Sequence, residues 1–363
     1  MKILLIGEYS NVHHTLALGL RELGHQVTVV SNGDFWKDYP RDIDVSRHYG
    51  MMGGLRLMIR LWCLLPKLSG YDVVQLINPM FFELKAERLF YFYNYLRRHN
   101  KKVYLGAYGM DWYWVYTCTH DKPLRYSDFN IGKDIRTDDE AVKYQNDWIG
   151  TAKERLNKYI ANDCDGIITG LYEYDVCYRH HLPEKTTYIP FPIIMPSSSW
   201  TDKTQKTKVI IFIGINRTRS SYKGTDIMLQ AALDIKEKYA HCIELHVAES
   251  VPFNQYQEMM EGSDAILDQL YSYTPSMNSL LAMSKGIICI GGGEPEHYEM
   301  LRENQLRPII NVQPSYQSVY HALENIVLHP ERIPELKHQS IEYVRKHHDY
   351  LKVAQQYLDF WKK

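Results

Sequence analysis

Residues 209–232, VIIFIGINRTRSSYKGTDIMLQAA, set an apolar strand-like run, a polar loop and an amphipathic helix in immediate succession. A short run rich in β-branched residues buries both of its faces only when helices cover it, which is the situation of a parallel α/β sheet. The same order recurs along the chain. It begins with 2–6 (KILLI), a helical pattern bearing Leu16, Leu20 and Leu23, Gly24, and then 26–30 (QVTVV). Further strands are expected at 72–76, 102–106, 166–169 and 187–189, with helices near 81–98 and 137–161. A second series places strands at 209–213, 243–248, 265–267, 286–290 and 308–311, then helices at 315–328, 333–346 and 350–361. At 363 residues the chain exceeds the usual size of one core. The expected organisation is therefore a first Rossmann-like domain at 1–195, a linker at 196–208, a second domain at 209–345, and a final helix at 346–363 crossing back to the first. The fold class is α/β, with two doubly wound domains facing a central cleft.

Composition removes several functions. Lys and Arg number 42 against 43 Asp and Glu, so the chain lacks the basic balance of a nucleic-acid binder. Cysteines at 63, 118, 164, 177, 242 and 289 show no CxxC spacing, which fits reduced thiols in the cytoplasm and no structural zinc framework. The opening MKILLIGEYS has too short an apolar run for a signal peptide or a membrane span. The stretch 55–68 (LRLMIRLWCLLPKL), from Leu55 to its end at Leu68, mixes Arg56, Arg60 and Lys67 with large apolar residues. It reads either as a buried core helix or as a peripheral contact with the anionic inner face of a membrane.

The loop after residue 213 carries the first candidate site. Gly214 is followed by Arg217, Arg219 and Lys223, and Gly224 opens a helix. A helix N-terminus presents amides and partial positive charge, Arg offers a fork of donors, and Lys adds a point charge, so this combination suits a diphosphate. The bland alternative is a solvated basic loop. Asp268 ends a predicted strand as a ligand or a turn cap, and Ser276, Asn278 and Ser279 start a helix on the same side. In the first half, Ser10, His13 and His14 follow a strand's carboxyl end, where open sheets bind ligands. Asp111 can serve as a base or as a helix cap. Tyrosines number 29, and Tyr108, Trp112, Tyr113, Trp114 and Tyr116 cluster in one insertion, either as an acceptor platform or as packing. No HxH or HExxH spacing occurs, and the Asp-x-Asp triplets at 42–44 and 163–165 lack supporting ligands nearby, so no metal is expected.

The segment FIGINRTRSSYKGTDIMLQAA resembles the glycine, Arg and Lys-Gly element of retaining GT-B glycosyltransferases of family 4. DCDGIITGLYEYDV, TTYIPFPI, LLAMSKGIICIGGGEPEHYEML and the tail HPERIPELKHQSIEYVRKHHDYLKVAQQYLDFW are similar to that family's later elements in the same order, so the resemblance spans almost the whole chain. It implies a hexosyltransferase-type enzyme of polysaccharide or glycolipid synthesis. Its substrate would be a nucleotide-diphosphate-sugar donor held by the second domain, with a glycan or lipid-linked acceptor held by the first, and no cofactor. Arg217 and Lys223 would stabilise the departing diphosphate, with Arg219 as the competitor of Arg217. Gly214, Gly224 and the Gly292-Gly293-Glu294-Pro295-Glu296 element, Glu296 in particular, would flank the donor. Tyr108 and Asp111 stand where the family has His-Gly-x-Asp. The family's two glutamates seven residues apart are replaced by Tyr273 and Leu281, which cannot accept the paired bonds of a carboxylate. That departure keeps two other readings open, a nucleotide-sugar epimerase on the same fold and a non-catalytic sugar- or nucleotide-binding protein. A nicotinamide dehydrogenase is disfavoured because GEYSNV after the first strand lacks GxGxxG.

Overall fold

A computed structural model describes residues 1–50, 52–196, 207–251 and 253–363. Most of the expected linker, 197–206, lies outside the described residues. The chain divides into two compact units: Met1–Pro123 with Lys143–Pro192 and Tyr350–Lys363, and Leu124–Val142 with Ile193–Asp349.

The first unit holds a seven-stranded parallel sheet in the order β3-β2-β1-β4-β5-β8-β9. Its strands are β1 (Lys2–Ile6), β2 (Gln26–Ser31), β3 (Ile43–Asp44), β4 (Val73–Leu76) and β5 (Lys102–Ala107). Next in the chain come β6 (Asn130–Ile131) and β7 (Asp134–Ile135), a small antiparallel hairpin in the other unit, and then β8 (Gly166–Thr169) and β9 (Thr186–Tyr188). Ile3, Leu4, Leu5 and Ile6 are wholly buried, as a central strand covered on both faces requires. The helices of this half are α1 (Val12–Glu22), α2 (Gly53–Leu64), α3 (Ala86–His99), α4 (Trp112–Tyr116), α5 (Asp139–Trp148), α6 (Ala152–Asp163) and α7 (Tyr172–His181). The single helix expected at 137–161 is two helices, because Gly150 adopts φ 73° and Thr151 caps α6 by accepting from the Lys153 amide. The helix expected from 81 starts at Ala86, and Phe81 and Phe82 are buried ahead of it. A π-helical turn, Thr117–Asp121, extends α4.

The second unit carries a five-stranded parallel sheet, β11-β10-β12-β13-β14. It comprises β10 (Val209–Ile215), β11 (Ile243–Glu249), β12 (Ala265–Leu267), β13 (Ile288–Gly291) and β14 (Ile310–Asn311). Helices α8 (Ser220–Lys223), α9 (Thr225–Lys238), α10 (Phe253–Met260), α11 (Met277–Ser284), α12 (Pro295–Leu301), α13 (Tyr316–Leu328) and α14 (Ile333–His347) follow in order. The last helix, α15 (Tyr350–Trp361), is part of the first unit and packs on α1. Gly19 permits that contact, since a Cβ there would lie 2.7 Å from the Tyr350 carbonyl oxygen.

In the second unit a buried ion pair fastens α14 beside the sheet. Lys337 Nζ lies 2.6 Å from Asp264 Oδ1, and Asp264 Oδ2 accepts from the Ile210 amide at 2.8 Å. Removing the ammonium leaves a buried carboxylate with an uncompensated charge. Lys337→Ala should therefore lose about 3–5 kcal/mol in urea unfolding, whereas Arg345→Ala, which breaks an exposed pair with Glu342, should change stability by under about 1 kcal/mol.

Candidate functional site

At the carboxyl end of β10 the chain turns tightly. Asn216 Oδ1 accepts from the Thr218 amide at 3.2 Å, capping a 3-10 turn over Arg217–Arg219, and α8 then ends at Gly224 in the left-handed region. A Cβ on Gly224 would sit 2.6 Å from Leu270 Cβ, and the Leu270 amide donates to the Lys223 carbonyl at 3.0 Å. The basic loop is thus docked on the segment between β12 and α11. Its three cations differ. Arg217 is largely exposed and grips Glu249 at the end of β11, Nη2 to Oε2 at 2.9 Å, with a second contact from Nε to Oε1. Arg219 Nε pairs with Glu140 at 3.1 Å and its guanidinium lies over Tyr222. The Lys223 ammonium stabilises the ionised forms of Asp128 and Asp268.

Asp268, at the end of β12, is buried, and burial raises its carboxyl pKa against the opposing pull of Ser279, Lys223 and the Ser276 amide. Asp268 Oδ2 and Ser279 Oγ are enclosed side by side without a well-directed hydrogen bond. Ser276 is the N-cap residue of α11. Asn278 Nδ2 donates to Tyr256 Oη at 2.7 Å, and the Tyr256 ring covers Gly214, where a Cβ would lie 2.4 Å from it. Gly214 is therefore a packing position.

Sequence reasoning missed the contribution of residues 124–142, which lie in the first half of the chain but belong to the second unit. Arg125 binds Glu294 at 2.7 Å, binds both oxygens of Glu296, and lies over the Tyr273 ring, while its amide donates to Tyr273 Oη at 2.8 Å. Tyr126 Oη and Gln313 Nε2 donate to Glu294 Oε1 at 2.6 and 2.5 Å. The Arg125 hydrogen bond holds the Glu296 carboxyl below its usual range. Arg136 stacks 3.7 Å from the Tyr271 ring centroid and donates to the carbonyls of Ser221 and Tyr222. Asp128 accepts from Tyr222 Oη at 2.8 Å. The acidic Glu-Pro-Glu element, the Tyr273 position and the basic loop are all touched by this insert. The only sequence signal was a concentration of charge in a loop.

In the first unit the loop after β1 folds on Glu8. Its carboxyl oxygens accept from the amides of His13 (3.2 Å) and His14 (2.8 Å) at the start of α1, and burial pushes its pKa up to about 8. His13 is fully buried, and burial pushes its pKa down to about 3. It is neutral, Nδ1 donates to the Gly7 carbonyl at 2.8 Å, and Nε2 is an acceptor with no partner. Burial also lowers the pKa of His14. The Ser10 amide donates to Asp34 at 2.8 Å. Tyr108 Oη meets Tyr357 Oη on α15. Asp111 is fully buried. It accepts from the Trp114 amide at 2.9 Å and from Tyr178 Oη at 2.6 Å, and burial raises its pKa to about 7. Its present contacts are those of a helix cap. Trp112 stacks on Tyr116 at 4.5 Å beneath Lys158, and Trp112, Tyr113 and Trp114 are buried, so these rings form core and no open platform. The carboxylates of both Asp-x-Asp triplets are engaged: Asp42 with Arg21, Asp44 with Arg41, Asp163 with Tyr93, and Asp165 with Arg97.

The structure therefore gathers Lys223, Gly224, Asp268, Ser276 and Ser279 in one unit and Glu8, His13 and His14 in the other. Arg217 and Arg219 are turned onto glutamates.

No family model and no curated protein matches the sequence. Solved structures do match it. HepE from Anabaena in complex with UDP-glucose is 11% identical with a TM-score of 0.62, covering 100% of this chain and 99% of HepE. WaaG, described as a glycosyltransferase involved in lipopolysaccharide biosynthesis, is 11% identical with a TM-score of 0.61 and 99% coverage of both chains. TarM from S. aureus is 10% identical with a TM-score of 0.55; 84% of this chain matches, and it spans only 58% of the length of TarM. At these identities the likeness establishes the fold, and that fold is GT-B, with two Rossmann-like domains.

The buried Glu8 has a measurable consequence. An unfolded Glu ionises near pH 4.3, whereas folded Glu8 keeps its proton to about 8. Between those values the native state binds more protons than the unfolded chain, so this group's stabilising contribution is full below about pH 4 and is lost as pH rises toward 8. Glu8→Gln removes that dependence. The melting temperature of the variant minus that of the natural protein should grow steadily from about pH 5 to about pH 8.5. A flat difference would show that Glu8 ionises normally.

Proposed function

We propose that this chain is a glycosyltransferase that moves a sugar from a nucleotide-diphosphate-sugar donor to a glycan or glycolipid acceptor. The observation that carries the proposal is the cluster at the strand ends of the second unit. There Lys223 and the α9 start at Gly224 dock beside the buried Asp268 carboxyl and the α11 start, with Ser279 and the Ser276 amide turned toward that carboxyl. The neighbours supply the donor chemistry: HepE is described with UDP-glucose, and TarM with UDP and alpha-GlcNAc-glycerol.

In this reading negative charge grows on the β-phosphate as the sugar bond breaks, and Lys223 with the neighbouring helix amides stabilises it without reorganisation. Arg217 joins by leaving Glu249, which costs little because that pair is exposed. Arg219 is the alternative. The cations do the work of a metal, and retention of configuration follows from the family resemblance. Glu294 and Glu296 supply the carboxylates missing at Tyr273 and Leu281. The first unit takes the acceptor, with Ser10, the free Nε2 of His13, and His14 as its contacts and Asp111 as a candidate base.

Peripheral attachment to an inner membrane face belongs to the same proposal. No helix among the described residues is long and apolar enough to cross a membrane. Helix α2 buries Leu57 and Leu61 but exposes Leu55, Ile59 and Trp62, the last stacked on exposed Tyr91 at 5.1 Å, and it contains Arg56 and Arg60 and no acid. An apolar stripe flanked by cations is what an anionic bilayer binds.

Three experiments test these readings. In a thermal-shift and titration panel of UDP, GDP, ADP, dTDP and CMP, one nucleoside diphosphate should stabilise the protein, UDP being expected. Lys223→Ala should weaken that ligand about 10- to 100-fold, the value of one charge-assisted contact. Unchanged affinity in the folded variant would rule out the clamp. Incubating the nucleotide-sugar without acceptor addresses the epimerase reading, which the Tyr273 and Leu281 replacements favour, since an epimerised donor would support it. Separately, flotation with anionic vesicles should carry the protein upward at low salt, and Ile59→Ser with Trp62→Ser should abolish it. Equal flotation of that variant would exclude α2 as the contact.

A further inference from the structure

The π-helical turn after α4 and the carboxyl-terminal end of α7 run side by side in the first unit. Cys118 Sγ and Cys177 Sγ are buried 3.8 Å apart, and Thr117 Oγ1 lies 2.8 Å from His181 Nε2. Beside this contact, Asp121 Oδ2 is 3.5 Å from His180 Nε2 and 3.5 Å from His181 Nε2, and the three side-chain atoms all lie within 4.8 Å of one another.

Those two separations are informative. They exceed the roughly 2.7–3.2 Å of an N–H···O hydrogen bond. They match instead the ligand-to-ligand edge of a tetrahedral zinc site, about 3.3 Å for bonds of about 2.0–2.1 Å. Two imidazoles and one carboxylate suit zinc, nickel, copper or iron better than magnesium or calcium, and a water can complete the shell once His181 Nε2 exchanges its hydrogen bond with Thr117 Oγ1 for the metal. The half-exposed His180 leaves an entry path.

We propose that Asp121, His180 and His181 bind one divalent transition-metal ion, zinc foremost, which ties the α4 segment to the end of α7. Asp121, His180 and His181 are not among the residues assigned to sugar transfer, and they adjoin the α4 segment that follows Asp111. Helix α7 starts after the carboxyl end of β8 and runs back along the sheet, so His181 lies toward the opposite end from Glu8 and His13. Its role is to hold in place the helix that presents Trp112 and Tyr113, whose rings lie 5.9 and 5.4 Å from His181. The inference stands whether or not the chain transfers sugar.

The test uses untagged full-length protein freed of metal by chelation and then titrated with zinc by calorimetry. One ion per chain should bind at micromolar or tighter affinity and raise the melting temperature. Asp121→Asn and His180→Ala, both at partly exposed positions, should each weaken binding about tenfold or more while keeping the metal-free circular dichroism spectrum and melting temperature. Absence of binding would overturn the proposal. So would binding of undiminished affinity in both variants, or a thiolate charge-transfer band on cobalt substitution, since that band would place the ion on Cys118 and Cys177.

Discussion

The close approach of Gly224 to Leu270 governs the second unit's candidate site. A left-handed residue without a Cβ lets the end of α8 touch the segment after β12, and the backbone bond from Leu270 to Lys223 fixes the contact. That brings an ammonium, two helix starts and the buried Asp268 carboxylate to the ends of neighbouring strands. Parallel pairing of β10 with β12 supplies the scaffold, because it puts both loops at the same edge of the sheet.

Around this contact the insert 124–142 builds a polar network absent from any reading of the chain in order. Arg125 neutralises Glu294 and Glu296, and its guanidinium lies over the tyrosine that stands where the resemblance calls for a glutamate. Two buried or half-buried acids beside one another are tolerable only with such a cation, so the insert and the Glu-Pro-Glu element are physically interdependent. Arg136 and Asp128 repeat the logic nearer the basic loop.

Burial, more than residue type, separated the candidates. His13 and Asp111 were legible as polar residues after strand ends, but their protonation states follow from complete enclosure. Glu8 was legible only as part of a loop, yet it organises that loop by capping α1. The aromatic insertion shows the reverse: rings rich enough to suggest a sugar platform are packed together as core, because α6 and α7 cover them. Arg217 is recognisable by spacing, but it reaches Glu249 because β10 and β11 pair in register and place that acid beside it.

By itself the sequence determined the alternation of strands and helices, with β1 at 2–6 and β12 at 265–267 placed as expected, and with it the α/β fold and the basic loop. These are local properties: period, glycine position and charge within a few residues. Only the tertiary structure decided which unit 124–142 joins, that the expected helix at 137–161 breaks at Gly150, that α2 exposes an apolar stripe, and that Asp121 meets His180 and His181. Each of those depends on which surfaces bury one another across long separations in the chain, and neither periodicity nor spacing encodes that.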